Sequence, residues 1–142
     1  MPLTLTRLAR FLGQPQTERS AALQAVLLLA TARLGLRYAT VPATRRGLAR
    51  LARSTGVPPR RLSEIVSAAA QVLPGASACL PRALVLESLL TAAGAPAELR
   101  IGLSARNGNE PPQAHAWVDL AGTAVAEDVS RFTPLPIFGA RG

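Results

Sequence analysis

The sequence contains no lysine, one cysteine (Cys79), one histidine (His115) and few aromatic residues, which make up 4% of its 142 positions. A single cysteine excludes an intramolecular disulfide and a thiolate cluster for zinc, and it fits a reducing cytoplasm. With 49% apolar residues and so few rings, the interior must be filled by Ala, Leu and Val, which predicts thin packing between helices. Long apolar runs are also missing. Ala21 to Ala32 is interrupted by Gln24 and falls short of the roughly 20 residues that span a bilayer, and the first residues lack the apolar core and cleavage site of a signal peptide. These absences predict a soluble protein without an integral membrane span, and leave association with a membrane surface open.

Because lysine is absent, the net charge of +8 rests on arginine alone, and the abundance of Ala, Arg, Gly and Pro matches a GC-rich bacterial genome. Residues 1 to 61 hold eleven Arg against Glu18 alone, a net +10, whereas residues 62 to 142 hold five Arg against seven acids, a net −2. Arg7, Arg10, Arg33, Arg37, Arg45, Arg46, Arg50, Arg53, Arg60 and Arg61 come without interleaved aromatics or a base-reading motif, which argues against nucleic acid. A solvated face, or a docking face for an acidic protein or peptide, accounts for them better. The length is that of one domain, with a helical basic part over 1–75 and a second part over 76–133 that holds the only cysteine and the only histidine.

Thr17 to Leu36 has helical periodicity, with Thr17 as cap and Leu23, Val26, Leu27 and Ala30 at three- and four-residue steps, and is expected to be the central, mostly buried helix. Thr44 to Arg53 predicts a short basic helix with Leu48 and Leu51 inward, stopped by Gly56-Val57-Pro58-Pro59. Arg60 to Val72 follows, with Leu62, Ile65, Val66 and Ala69 on one face, and Leu73-Pro74-Gly75 ends it. Cys79-Leu80-Pro81 opens a further helix through Ala93, whose buried face is Leu86, Leu89, Leu90 and Ala93 and whose stop is Gly94 with Pro96.

Beyond Gly94 the pattern alternates. Leu99, Ile101 and Leu103 mark one strand, Ala114 to Leu120 a second and Thr123 to Val129 a third. Ser104 to Pro112, with the Asn107-Gly108 turn signal, reads as a loop that would serve as a lid, and the tail after Ser130 receives no element. The fold class is therefore α+β, N-terminal helices packed with a small antiparallel sheet.

A thiol attacks as thiolate, and the start of a helix stabilises that anion with partial positive charge and free N–H groups, which also suit an oxyanion. Cys79 is placed there. Strand alternation puts His115, Trp117 and Asp119 on one face and Ala114, Ala116 and Val118 on the other. If Ala121-Gly122 is a two-residue hairpin turn, Leu120 faces Thr123 and, counting outward, His115 faces Asp128. Directly opposed Cβ atoms lie about 4.5–5.5 Å apart, close enough for a carboxylate to fix the imidazole tautomer. A three-residue loop would shift the register and bring Glu127 or Asp119 into contention. Spacing alone also leaves standing a buried structural cysteine and histidine, with Trp117 a core aromatic and Arg82 a solvated or carbonyl-binding side chain.

Cys79-Leu80-Pro81-Arg82-Ala83-Leu84, Ala95-Pro96-Ala97-Glu98-Leu99-Arg100-Ile101-Gly102 and Ala114-His115-Ala116-Trp117-Val118 resemble the leader peptidases of lasso-peptide biosynthesis. That family belongs to the transglutaminase-like, papain-like cysteine-peptidase superfamily. The likeness extends upstream to Leu27–Arg33 and to Ser67-Ala68-Ala69-Ala70 with Leu73-Pro74-Gly75. It implies Cys79 as nucleophile, His115 as base and Asp128 as the acidic third member, with no metal or nucleotide cofactor. Asp119 stands where the likeness leads one to expect glutamate.

The resemblance also implies removal of a leader from a ribosomal precursor, with a threonine preferred near the leader's end. Trp117, Ala78 and Ala114, with Ala116, are the candidate substrate-binding residues. A separate small leader-recognition protein and an ATP-dependent lasso cyclase are the implied partners, and Arg45, Arg46 and Arg50 are candidate docking residues. The alternatives are a transglutaminase-like acyltransferase using the same three residues, and a non-catalytic scaffold in the same biosynthetic complex.

Overall fold

The computed structural model describes residues 15–73, 78–104 and 108–135, together with Leu5 and Gly13. Among the described residues four helices are delimited before the sheet: α1 (Gln16–Tyr38), α2 (Val41–Leu51), α3 (Pro59–Val72) and α4 (Cys79–Ala92). Four strands follow, β1 (Ala97–Ser104), β2 (Ala114–Leu120), β3 (Thr123–Ala124) and β4 (Phe132–Pro134), forming an antiparallel sheet in the order β3-β2-β1-β4.

The central helix is α4, not α1. Every residue of α4 from Ala83 to Leu90 is buried, because α4 packs on the other three helices and on β1 and β2. Helix α1 turns Ala21, Ala25, Leu28, Leu29 and Ala32 to the core and leaves Leu23 and Leu27 exposed. Both sets satisfy the same three-to-four-residue period, and the alanine-rich set won because it admits a close neighbour. That closeness is measurable at Gly35, where an added Cβ would stand 2.5 Å from Thr44 Oγ1 on α2. The thin packing expected from composition is seen at this contact. At 23 residues α1 is, among the described residues, the one helix long and apolar enough by length and composition to cross a membrane.

Helix α2 begins three residues earlier than expected because Thr40 caps it, accepting the Ala43 N–H at 3.2 Å, with Pro42 in the first turn. Its inward residues are Thr44 and Leu48, whereas Leu51 is exposed at the helix end. Pro15, rather than Thr17, precedes α1, and Ala93, expected on the buried face of α4, is its exposed C-cap.

Glu87 of α4 joins the helices to the sheet. Its buried carboxylate accepts from Arg45 Nε at 3.0 Å, Arg45 Nη2 at 2.8 Å and the Leu99 backbone N–H at 2.8 Å. Arg45 therefore belongs to the interior framework of the fold, whereas Arg46 and Arg50 are exposed on α2.

The Ala121-Gly122 turn is the two-residue hairpin turn expected, with positive φ at both positions (52° and 87°), and Leu120 pairs with Thr123. The third strand, however, stops at Ala124 where an extension to Val129 was expected. Val125 N still bonds Val118 O at 2.9 Å, but Ala126 then enters the left-handed region at φ 58° and the alternation is lost. The tail that received no element supplies β4, which pairs with β1 through Gly102, Leu103 and Ser104. Of the expected loop and stop signals, Asn107 and Pro74-Gly75 lie outside the described residues, as do Arg7 and Arg10.

Candidate active site

Cys79 is the first residue of α4, after Ala78 in extended conformation (ψ 150°), and among the described residues no side chain caps the helix. The N–H groups and the positive dipole end of a helix's first turn favour an anion at such a position. Partly buried against the core, Cys79 Sγ also accepts the Ala116 backbone N–H at 3.4 Å. This contact is possible because β3 ends early: the pairing of β2 on that side covers only Asp119 and Leu120, leaving its edge open at His115–Trp117. The start of α4 occupies that edge and brings Cys79 beside the residue following the only histidine.

His115 shares its face of β2 with Trp117 and Asp119, as alternation required. Its ring stacks on Trp117 at a centroid distance of 6.0 Å and packs on Phe132 of β4 at 4.9 Å. Trp117 is 2% exposed, and its Nε1 donates to Asp119 Oδ1 at 2.9 Å. Arg100 Nε donates to the other oxygen of Asp119 at 3.2 Å. The aspartate that departs from the expected glutamate therefore anchors the indole beneath the histidine. Gly102 permits this packing, since a Cβ there would lie 2.7 Å from the Trp117 ring and 2.8 Å from Thr133 O.

The carboxylate that meets His115 is Glu127, with Oε1 at 2.5 Å from Nε2. Asp128, expected opposite His115, is exposed and accepts the Ser130 N–H at 3.0 Å, hydrogen bonding that holds its carboxyl below the usual carboxylate range. The register was right at the turn; the difference arises at Ala126, whose left-handed backbone turns Glu127 toward the ring. Nothing in the sequence marks that position, because it is not a glycine or asparagine.

A small hollow of about 30 Å³ opens beside Cys79, lined by Ser63 and Ser67 of α3, Arg82 of α4, Ala116 and Trp117 of β2, and Glu127 among others. Ala78 and Ala114, expected to contact substrate, are exposed at the starts of α4 and β2 and are absent from this lining. Arg82 and the two serines are polar lining residues that the sequence reading did not assign to the site; Arg82 was at hand one turn after Cys79. Among the described residues no three His, Cys, Asp or Glu side chains gather where they would hold a metal ion.

A thiol at a helix start, against a strand carrying histidine that is in turn held by a carboxylate, is an arrangement able to perform nucleophilic acyl chemistry. The sequence matches the model of the transglutaminase-like superfamily over residues 19–136, nearly the whole chain. The chain belongs to the transglutaminase-like superfamily. Four helices followed by the four-stranded antiparallel sheet form this protein's transglutaminase-like core, and Cys79, His115 and Glu127 all fall within the matched span. Searches among curated proteins and among solved structures return no match.

Proposed function

We propose that this transglutaminase-like protein is a thiol peptidase that removes the leader from a ribosomally made lasso-peptide precursor before macrocyclisation. The observation that carries the chemical part is the contact between Cys79 Sγ and the backbone of β2 next to His115, whose Nε2 meets a carboxylate. The motifs around Cys79, Gly102 and His115 supply the substrate class.

With Nε2–H donated to Glu127, Nδ1 is the basic ring nitrogen. It takes the Cys79 proton, and the thiolate attacks the carbonyl at the leader–core junction. The tetrahedral oxyanion draws on N–H groups at the start of α4. Nδ1–H then protonates the departing core amine, leaving the leader as a thioester on Cys79. Water, deprotonated by the same nitrogen, hydrolyses the thioester to the leader acid and restores the thiol. Glu127 holds the tautomer and stabilises the imidazolium that forms between these steps.

A separate leader-recognition protein presents the precursor, and the ATP-dependent cyclase consumes the freed core, in the cytoplasm. Exposed Arg46 and Arg50 are the proposed docking residues. Arg45 is withdrawn from that set because reversing its charge would break the Glu87 pair and confound binding with folding.

Membership in the superfamily favours one second reading, acyl transfer to an amine in place of water. Mass spectrometry of the precursor incubated with this protein and the recognition protein separates the two. A free leader acid and a shortened core support peptidase action; a new isopeptide linkage to an added amine supports transfer. An unaltered precursor with both proteins present contradicts both readings.

A further inference from the structure

Arg82 follows Cys79 by three residues and so lies on the same side of α4. Both line the hollow beside the sulfur, together with Ser63, Ser67, Trp117 and Glu127. Among the described residues Arg82 Nε is buried without a hydrogen-bond partner, as is Arg19 Nε on α1. A buried guanidinium donor left unmade is costly, and the acid in the lining, Glu127, is turned to His115. Arg45 and Arg61 on the other helices find carboxylates, on Glu87 and Glu18, and of the two unpartnered donors, among the described residues, Arg82 is the one that lines the hollow beside Cys79.

We propose that Arg82 forms an anion-accepting subsite beside Cys79, which takes a carboxylate carried by the acyl group that reacts with the sulfur. A guanidinium is suited to this task because it stays charged and presents Nε–H and Nη–H to two carboxylate oxygens at once. The hollow has room for about one or two water molecules, so the group it admits is small: a carboxylate fits and a bulky side chain does not. Ser63 and Ser67 of α3 also line the hollow, and a serine hydroxyl is a further donor. The inference rests on Cys79 being the reacting atom, and its test does not depend on what the natural substrate is.

The test uses alkylation of Cys79, in which the thiolate forms an S–CH2 bond and iodide leaves. Second-order rates with iodoacetate, which carries a carboxylate, and with iodoacetamide, which does not, are measured on the folded protein and on the urea-unfolded chain. Folding should raise the iodoacetate-to-iodoacetamide ratio by about tenfold, the factor expected of one charge-assisted contact at a partly solvated site. Arg82→Gln should lose most of that gain and Arg82→Lys should keep part of it, while the exposed-surface control Arg60→Gln should keep it all.

An unchanged ratio in Arg82→Gln, or an equal fall in Arg60→Gln, overturns the assignment. Should Arg82→Gln fail to fold by circular dichroism, wild type decides alone: a folded ratio no higher than the unfolded one overturns it. Failure of leader cleavage, by contrast, would count against the peptidase reading and not against this subsite.

Discussion

Replacing Glu127 by Gln removes the carboxylate from His115 Nε2 while keeping nearly the same shape. A hydrogen bond to a charged group contributes about 1.5–3 kcal/mol. The Glu127 side chain is 39% exposed, so solvent screening places the expected loss just below that range, at about 1.4 kcal/mol, or one decade in rate. In the proposed mechanism the imidazolium that would face the Cys79 thiolate loses this stabilisation, so the iodoacetamide rate at Cys79 near neutral pH should fall about tenfold. Asp128→Asn should change that rate by less than about twofold, because its carboxylate bonds the Ser130 N–H and not the ring. Stopped-time alkylation followed by intact-mass measurement reads both variants. A tenfold loss in Asp128→Asn with little change in Glu127→Gln would refute the geometric assignment and restore the pairing first read from the hairpin.

Arg45→Met strips the counter-ion from Glu87, whose side chain is only 9% exposed, and breaking such a pair costs about 3–5 kcal/mol when fully buried. Since Arg45 is 27% exposed, a loss of about 2–3 kcal/mol is expected, read as a urea midpoint lowered by about 1 M or more; a midpoint shift under about 0.2 M would contradict it. Gly102→Ala drives a methyl into the Trp117 ring and the Thr133 carbonyl, and should destabilise by about 1–3 kcal/mol with altered near-ultraviolet dichroism of the single tryptophan. Hydrogen bonding to Arg61 holds Glu18 below its ordinary value near 4.5. Its folded value being the lower one, this contribution is complete above the unfolded value and fades as pH falls through the folded one. The stability difference between wild type and Glu18→Gln should accordingly be present near pH 6 and shrink in acid; a difference independent of pH would refute the linkage.

Helix existence was legible because the stops and caps are chemically explicit, as with Pro58-Pro59 before α3 and Gly94 after α4. Which face of α1 is buried was not, since Leu23 and Leu27 share the period of Ala21, Ala25 and Leu28, and volume decided between them. Cys79 at a helix start and His115 with Trp117 on one strand face were readable from local rules alone. The carboxylate was not readable at one-residue precision. The hairpin turn set the register, but a single left-handed alanine at position 126 exchanged Asp128 for Glu127, and no local propensity predicts it. Strand β4 was missed because three residues carry too little alternation to be seen without their partner β1.

The account stands or falls on the sulfur of Cys79. The decisive measurement incubates the precursor and recognition protein with wild type or with Cys79→Ala, and follows the leader–core bond by mass spectrometry. The account predicts cleavage at one bond by wild type and none by the variant, with the variant still folded by circular dichroism. Equal cleavage by both proteins would remove Cys79 from the chemistry and contradict the central claim.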